Sequence, residues 1–191
     1  MSDIVTLKLP LGRDPEALKV LRSLESGMET ELEGVLIAAR DQAHRRLVDM
    51  LEEGRELPFD PEGQALYYMG PSPAAPGRVI GAAGPTTAGR MDPFTLPLLE
   101  KGVKFFVGKG RRAPYVKEAL LRHGALYLAA VGGAGAFYSL KIVKQETLAF
   151  PELGPEALLR LEVRGFPAVV IHDLKGGDWY ESSPAKYRSQ A

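Results

Sequence analysis

The amino-acid sequence predicts an α/β layered domain, and three observations support this fold class. Short apolar runs typical of strands alternate along the chain with segments of helical periodicity. Several of these runs are apolar at nearly every position, as in strands that are covered on both faces. The 191 residues are enough for a sizeable core, and no repeat or linker divides them. We therefore predict a single domain over residues 1–181 and a polar tail over residues 182–191.

In the first half of the chain, apolar runs predict three strands and helical spacing predicts two helices. The strands cover residues 4–9, 34–39 and 65–71, and the helices cover residues 42–54 and 91–99. Asp41 stands where an N-cap carboxylate would accept the free amides of the first of these helices. Residues 14–33 are charged and weakly patterned, so no element is predicted there.

In the second half of the chain, predicted strands again alternate with predicted helices. Four strands are predicted at residues 102–110, 125–137, 139–150 and 167–173, the second of them ending in a glycine-rich turn. Two helices are predicted at residues 113–123 and 154–163. Gly124 fits the C-cap of the former, and Pro155 fits the first turn of the latter.

Composition excludes several classes of function. The 24 basic residues equal the 24 acidic ones, which argues against a broad surface for nucleic acid or acidic membranes. The absence of cysteine excludes disulfides, a thiol nucleophile and thiolate ligation of zinc or an iron–sulfur cluster by this chain. The three histidines match no metal motif, so no metal site is predicted. No apolar run approaches the roughly 20 residues of a membrane helix, and no signal peptide is evident, so a cytoplasmic protein is expected.

The stretch GPTTAGR, residues 84–90, is the first candidate site. Its glycines permit a tight turn and a close approach of the backbone, while Thr86 and Thr87 supply hydroxyls. Arg90 can bind a carboxylate through two N–H groups, and the start of the next helix favours an anion. The alternative is a solvent-facing turn with a capping threonine.

Two further strand ends carry similar cations. Lys109 lies between two glycines in VGKG, with the alternative that it is a surface lysine in a tight turn. Arg40 and Asp41 lie at a strand-to-helix junction, where an exposed salt bridge is the alternative. His44 lies one turn further along that helix and is more typical of a partly buried structural histidine. The glycines of VGKG and GGAGAF match neither a P-loop nor a dinucleotide fingerprint, which opposes nucleotide binding.

These candidates share one position in the predicted fold. Arg40, the Thr86–Arg90 loop and Lys109 each follow an apolar strand, at the edge where α/β sheets bind ligands. Two arginines, a lysine and a threonine suit a small dicarboxylate. No carboxylate, histidine or cysteine of clear catalytic type accompanies them, so the chain has the character of half an active site.

Six motifs in order resemble the C-terminal region of the class I, iron–sulfur fumarases. They are ARDQAH, YYMGP, GPTTAGRMDPF, VGKG, VGGAGA and FPAVVIHD. The chain is most similar to the separate beta subunit of two-subunit fumarate hydratases and L-tartrate dehydratases, over about residues 5–180. Residues 16–34 are more acidic than expected of that family, and LIAARD replaces a more polar approach to the arginine.

The resemblance implies a fold, a reaction and roles for residues. It implies a swivelling β/β/α domain and a hydro-lyase of the tricarboxylic acid cycle that acts on a four-carbon dicarboxylate. Its [4Fe–4S] cluster would be held by the cysteines of an alpha subunit in an α2β2 assembly. By motif, Arg40, Arg90 and Lys109 would bind substrate, and Thr86, or Thr87 beside it, would transfer a proton. His44 and Asp41 are candidates to contact and orient these residues without binding the substrate themselves.

The function expected from the sequence is therefore the beta subunit of a heteromeric hydro-lyase acting on fumarate, active only with its alpha subunit. An L-tartrate dehydratase beta subunit is one alternative. A stand-alone dicarboxylate- or anion-binding module is another, and it would use the same Arg40, Arg90 and Lys109.

Overall fold

The computed structural model of the protein describes residues 4–188 and confirms the α/β class. These residues contain seven strands: β1 Val5–Leu9, β2 Glu29–Ala38, β3 Ala65–Tyr67, β4 Phe105–Gly108, β5 Leu126–Ala129, β6 Ile142–Ala149 and β7 Leu158–His172. Six helices accompany them: α1 Pro15–Ser23, α2 Asp41–Glu52, α3 Asp92–Glu100, α4 Pro114–His123, α5 Gly135–Ser139 and α6 Trp179–Arg188. Two short 3-10 helices cover Ala88–Met91 and Pro151–Glu156.

The strands form one sheet that closes on itself. Strands β1 to β5 pair in sequence order and in parallel, whereas β7 is antiparallel to its neighbours β5, β2 and β6. Because β7 pairs with both β5 and β2, strands β2, β3, β4, β5 and β7 make a small barrel-like sheet. Strands β1 and β6 extend it on either side. Closure leaves few unpaired strand edges within the barrel itself.

The core has two parts, which follow from the alternation of side chains along each strand. Tyr67, Phe105 and Leu161 belong to the cluster enclosed by the sheet. Leu66 and Phe106, their neighbours in sequence, belong to a second cluster on the other face. Helices α2, α3 and α4 cover that outer face with apolar residues such as Leu47, which explains why the central strands are apolar on both sides.

The helix predicted over residues 154–163 is wrong. The chain makes a 3-10 helix over Pro151–Glu156 and then enters β7, so Pro155 does not start an α-helix. Leu159, Leu161 and Val163 alternate with less buried residues and face the core at a period of two. Pairing with β2 on one side and β6 on the other stabilises the strand, and the last predicted strand, 167–173, is its second half.

Other predicted boundaries also change. The weakly patterned residues 14–33 contain α1 and the start of β2, and Asp14 caps α1 by accepting the Ala17 amide at 2.9 Å. The glycine-rich turn after β5 leads into the short helix α5. The segment expected to be a polar tail from Ser182 begins inside α6, while positions 189–191 lie outside the described residues. Among residues 4–188, no helix has the combination of length and hydrophobicity required to span a lipid bilayer.

Candidate functional site

The Thr86–Ala88 segment lies against the carboxyl ends of β3 and β4. The Thr86 amide donates to the Tyr68 carbonyl at 2.6 Å, and the Lys109 amide donates to the Thr86 carbonyl at 3.2 Å. The Ala88 amide in turn donates to the Lys109 carbonyl at 2.8 Å. These bonds continue the sheet beyond its strands and bring both threonines next to Lys109. The apolar strand expected just before this loop is absent, since no strand lies between Tyr67 and Phe105.

Glycine at position 108 is required for this close approach. A side chain there would begin 2.7 Å from Tyr68 Cδ2 and 3.1 Å from Ala88 Cβ. The start of the loop is fixed separately, because the Tyr67 hydroxyl donates to the Ala83 carbonyl at 2.6 Å. The position of the threonines is therefore set by backbone contacts rather than by the threonine side chains.

Arg40 occupies the N-cap position of α2, at the end of the neighbouring strand β2. Its Nη2 lies 3.6 Å from Glu156 Oε1, and Glu156 Oε2 accepts the Gln42 amide at 3.1 Å. The Arg40 Nε is buried and has no hydrogen-bond partner among the described residues. A side chain at Gly70 would begin 2.6 Å from Arg40 Cδ, so the glycine of YYMGP makes room for this arginine.

Arg90 forms a two-pronged ion pair with Asp41. Its Nε donates to Oδ1 at 3.0 Å and its Nη2 to Oδ2 at 2.7 Å. The expectation that Asp41 caps helix α2 is therefore wrong: Asp41 is the first helical residue, and its carboxylate is turned toward Arg90. Since Asp41 follows Arg40 directly, this pair brings the two arginines to one place.

The resulting cluster carries charge of both signs. Arg40, Arg90 and Lys109 supply three positive charges, and Asp41 and Glu156 supply two negative ones, which leaves one positive charge. Lys109 extends over the glycine-rich turn, with its Nζ 3.7 Å from where a side chain at Gly132 would begin. The excess positive charge and the planar guanidinium groups are suited to a small carboxylate anion.

His44 is buried behind the cluster rather than exposed in it. Its Nδ1 lies 2.9 Å from the Arg40 carbonyl, so Nδ1 carries the proton, and the buried Nε2 has no hydrogen-bond partner within residues 4–188. The ring packs edge-on against Tyr68, with 5.3 Å between centroids. Burial lowers the pKa of His44 to about 4. A neutral imidazole in this position supports Arg40 and is not placed to contact a ligand.

Arg112 and Asp92 form a buried pair that the sequence did not reveal. The Arg112 side chain is fully buried; its Nε donates to Asp92 Oδ1 and its Nη2 to Thr95 Oγ1 at 2.6 Å. Asp92 Oδ2 accepts the Ala113 amide at 2.7 Å. The pair joins the turn after Lys109 to the start of α3, just beyond Arg90. Sequence alone shows only two adjacent arginines, either of which suits a surface.

Neither cavity size nor metal chemistry identifies another site. A cavity of about 700 Å³ lies near the carboxyl end of α2, and its lining includes Leu51, Phe59 and Lys101 but none of the candidate residues. Within residues 4–188, no group of three potential metal ligands comes together. With no cysteine in the sequence, the residues of this chain do not fit an iron–sulfur cluster.

Comparison with known proteins agrees with the geometry. The family model described as "Fumarase C-terminus" matches residues 3–183. The chain is 38% identical to "Fumarate hydratase 2" of Leishmania major over 95% of its length, and 37% identical to "Fumarate hydratase class I, anaerobic" of Escherichia coli over 92%. In both cases it spans only 32% of the relative.

A third relative is matched over most of its own length. The protein of Methanocaldococcus jannaschii provisionally named L(+)-tartrate dehydratase subunit beta is 32% identical, and the match covers 85% of this chain and 87% of that protein. The matches thus include both larger proteins and one of nearly the same size. Since the family model spans nearly the whole sequence, this chain belongs to the fumarase C-terminus family.

Proposed function

We propose that the chain is the beta subunit of a two-subunit class I hydro-lyase that adds water reversibly to fumarate, forming L-malate. The observation that carries the proposal is the convergence of Arg40, Thr86, Thr87, Arg90 and Lys109 at one edge of the sheet. Fumarate is preferred to L-tartrate because several of the larger relatives carry the name fumarate hydratase. The reaction would belong to the tricarboxylic acid cycle, and the cytoplasmic location and the swivelling β/β/α arrangement stay predictions.

In this proposal the cations bind and orient the substrate. Each arginine offers a planar fork of N–H groups that matches a carboxylate, and Lys109 supplies a compact positive charge. Adding water to a carbon–carbon double bond places hydroxide on one carbon and a proton on the other. The intermediate between these events carries negative charge on the carbon that is still to be protonated and on the carboxylate attached to it, and fixed cations stabilise that charge.

The proton transfer is assigned to the threonine pair. A threonine hydroxyl is a weak acid and base, so it needs a partner that supplies and removes its proton. We assign that partner to the second subunit, whose aspartate the resemblance implies, because the two carboxylates of the cluster, Asp41 and Glu156, are already in ion pairs with Arg90 and Arg40. The [4Fe–4S] cluster that the resemblance implies would also be held there, and α2β2 is the expected assembly.

An exposed apolar surface supports the need for a second subunit. Val131 and Leu140 are 62% and 61% exposed, and Phe137 lies between them in the sequence. Val131 and Phe137 also line an apolar cavity of about 370 Å³ beside the glycine-rich turn that Lys109 crosses. Contiguous apolar surface of this kind is typical of protein interfaces.

The test is anaerobic fumarate hydration by the chain alone and by the chain co-expressed with a cysteine-bearing alpha subunit. We expect activity only in the pair, with loss on exposure to oxygen. Copurification without turnover of fumarate, but with turnover of L-tartrate, would replace the substrate and keep the subunit assignment. Failure of the chains to associate would contradict the assignment.

A binding module without catalysis is the second candidate, and it rests on the cluster of cations in the chain alone. Calorimetric titration of fumarate into the isolated chain separates the two. Tight binding by the chain alone favours the module, whereas binding that requires the second subunit favours the hydro-lyase.

A further inference from the structure

Helix α6 lies against the turn that carries Lys109. Tyr180, in the first turn of α6, accepts the Gly110 amide on its hydroxyl at 3.3 Å. In return, the Arg111 Nη2 donates to the Tyr180 carbonyl at 3.1 Å. Helix α6, in which the tail expected from Ser182 begins, therefore contacts the residues on the carboxyl side of Lys109.

These contacts complete the hydrogen bonding of the Lys109–Gly110 backbone. Lys109 uses both its amide and its carbonyl on the Thr86–Ala88 segment. The Gly110 carbonyl accepts the Tyr127 hydroxyl at 2.8 Å, which leaves the Gly110 amide for Tyr180. Gly110 has φ of +82°, a conformation that glycine adopts at little cost but that needs external contacts to stay fixed. Two tyrosine hydroxyls, one on each side of the residue, provide them.

Helix α6 is itself firmly attached, so Tyr180 can act as a fixed point. Asp178 accepts Lys117 Nζ at 2.7 Å and the Tyr180 amide at 2.9 Å, and the first of these bonds raises the pKa of Lys117. The ring of Trp179 covers Gly27, where a side chain would begin 2.6 Å from the ring. The start of α6 is thereby tied to helix α4 and to the turn before β2.

We propose that α6, through the Tyr180 hydroxyl, positions Lys109 for binding substrate. The inference rests on the proposed function for the role of Lys109, but the contact itself does not. Tyr180 bonds to the backbone beside Lys109 rather than to Lys109 itself, so it is a positioning residue. Loss of the Tyr180 hydroxyl should make the Lys109–Gly110 turn more mobile without removing any charge from the cluster.

The contact is tested first in the isolated chain, by hydrogen exchange of the Gly110 amide measured by NMR. Tyr180→Phe retains the ring and removes only the hydroxyl. We expect about fivefold faster exchange at Gly110, the scale of one lost hydrogen bond, with little change in the thermal midpoint. Tyr115→Phe, at a half-exposed tyrosine on α4, is the matched control and should leave exchange at Gly110 unchanged. Unchanged exchange in Tyr180→Phe would overturn the proposal.

The consequence for substrate is tested in the assembled enzyme. Tyr180→Phe should raise the KM for fumarate about threefold to fivefold while kcat changes less, because a mobile Lys109 weakens binding. Arg111→Gln, which removes the reciprocal contact from the other side, should act in the same direction. Faster exchange with unchanged KM and kcat would also overturn the positioning role. If the wild-type assembly hydrates no fumarate and dehydrates no tartrate, the proposed function fails, and the exchange experiment still decides whether α6 holds the turn.

Discussion

Thr86 and Thr87 are neighbours in the chain but have different surroundings. The backbone of Thr86 is bonded on both sides, to Tyr68 and to Lys109, and its side chain is partly shielded from solvent. Thr87 is exposed and pairs with Lys109 across an isolated bridge. Thr87 has extended backbone, where adjacent side chains point in opposite directions, so the two hydroxyls face different surroundings.

Thr86→Ala in the assembled enzyme should reduce kcat for fumarate at least about a hundredfold, the scale typical of a lost proton-transfer group. We expect a smaller effect for Thr87→Ala, because the resemblance assigns the proton transfer to Thr86. Thr6→Ala, at an exposed threonine of β1, serves as the control. Near-normal turnover in Thr86→Ala with a large loss in Thr87→Ala would reverse the assignment.

His44 gives the chain a sensitivity to acid. Its pKa is lowered from 6.5 to about 4 by burial, so the unfolded chain binds a proton between these pH values that the folded chain does not. The contribution of neutral His44 to the free energy of unfolding is present in full above pH 6.5 and is lost as the pH falls toward 4. Between pH 7 and pH 4.5 the loss should be about 2 to 3 kcal/mol, from the size of the shift.

Urea unfolding of the isolated chain at both pH values measures this effect. His44→Gln should lose less stability on acidification than the wild type, although it is less stable at pH 7. His123→Gln, at a partly exposed histidine near the end of α4, is the control and should follow the wild type. Equal acid losses in His44→Gln and the wild type would show that His44 does not titrate as described.

At the scale of elements, the buried side chain of Arg112 holds the turn after β4 in place. The guanidinium bonds to Asp92 and Thr95 of α3 and lies 5.2 Å from the centre of the Tyr127 ring. It therefore links the Lys109 turn, the start of α3 and the sheet. The buried tyrosines around it have raised pKa values, mainly because burial disfavours the phenolate.

Arg112→Met should destabilise the isolated chain by about 3 to 5 kcal/mol, because Asp92 would be left as an uncompensated buried charge. Double replacement with Asp92→Asn should recover part of this loss. Arg122→Met, at an exposed arginine of α4, provides the comparison for the loss of a surface charge. Unfolding in urea gives all three values, and a cost for Arg112→Met no larger than that of Arg122→Met would contradict this account.

The elements differ in how well their sequences predict them. Residues 34–39 are apolar throughout and residues 102–110 are apolar apart from Lys104 and Lys109, and both contain strands because helices cover one face and the closed sheet the other. Residues 154–163 were predicted as a helix because Pro155 and the leucines allow one locally. Pairing of β7 with β2 and β6 overrides that preference, and such pairing depends on residues far away in sequence.

For the candidate site, the strand ends were predictable and the contacts between them were not. Arg40 and Lys109 each follow a strand, and parallel strands bring their carboxyl ends to one edge, whereas Arg90 reaches that edge on the connection between β3 and β4. The pairing of Arg90 with Asp41 needs the loop to fold back across 49 residues. The charged residues in the sequence do not indicate which carboxylate each arginine pairs with.

At the scale of the whole molecule, the apolar surface near the glycine-rich turn should be an interface. Leu140→Asp should weaken association with the alpha subunit at least about tenfold, because a desolvated apolar contact is replaced by a charge. Leu121→Asp, at a half-exposed leucine on α4, is the matched control. Analytical ultracentrifugation of the mixed subunits measures both. Equal affinities for Leu140→Asp and the wild type would place the interface elsewhere.

The ion pairs of Arg40 with Glu156 and Arg90 with Asp41 mean that the cluster contains its own counter-ions. A dicarboxylate bound by both arginines would exchange with these two carboxylates, while Lys109, which is in no ion pair among residues 4–188, would add one more. A ligand with one carboxylate can complete only half of the exchange. Selection by the free chain would then depend on the spacing of two charges at once, which is a property of the ligand's length and not of its total charge.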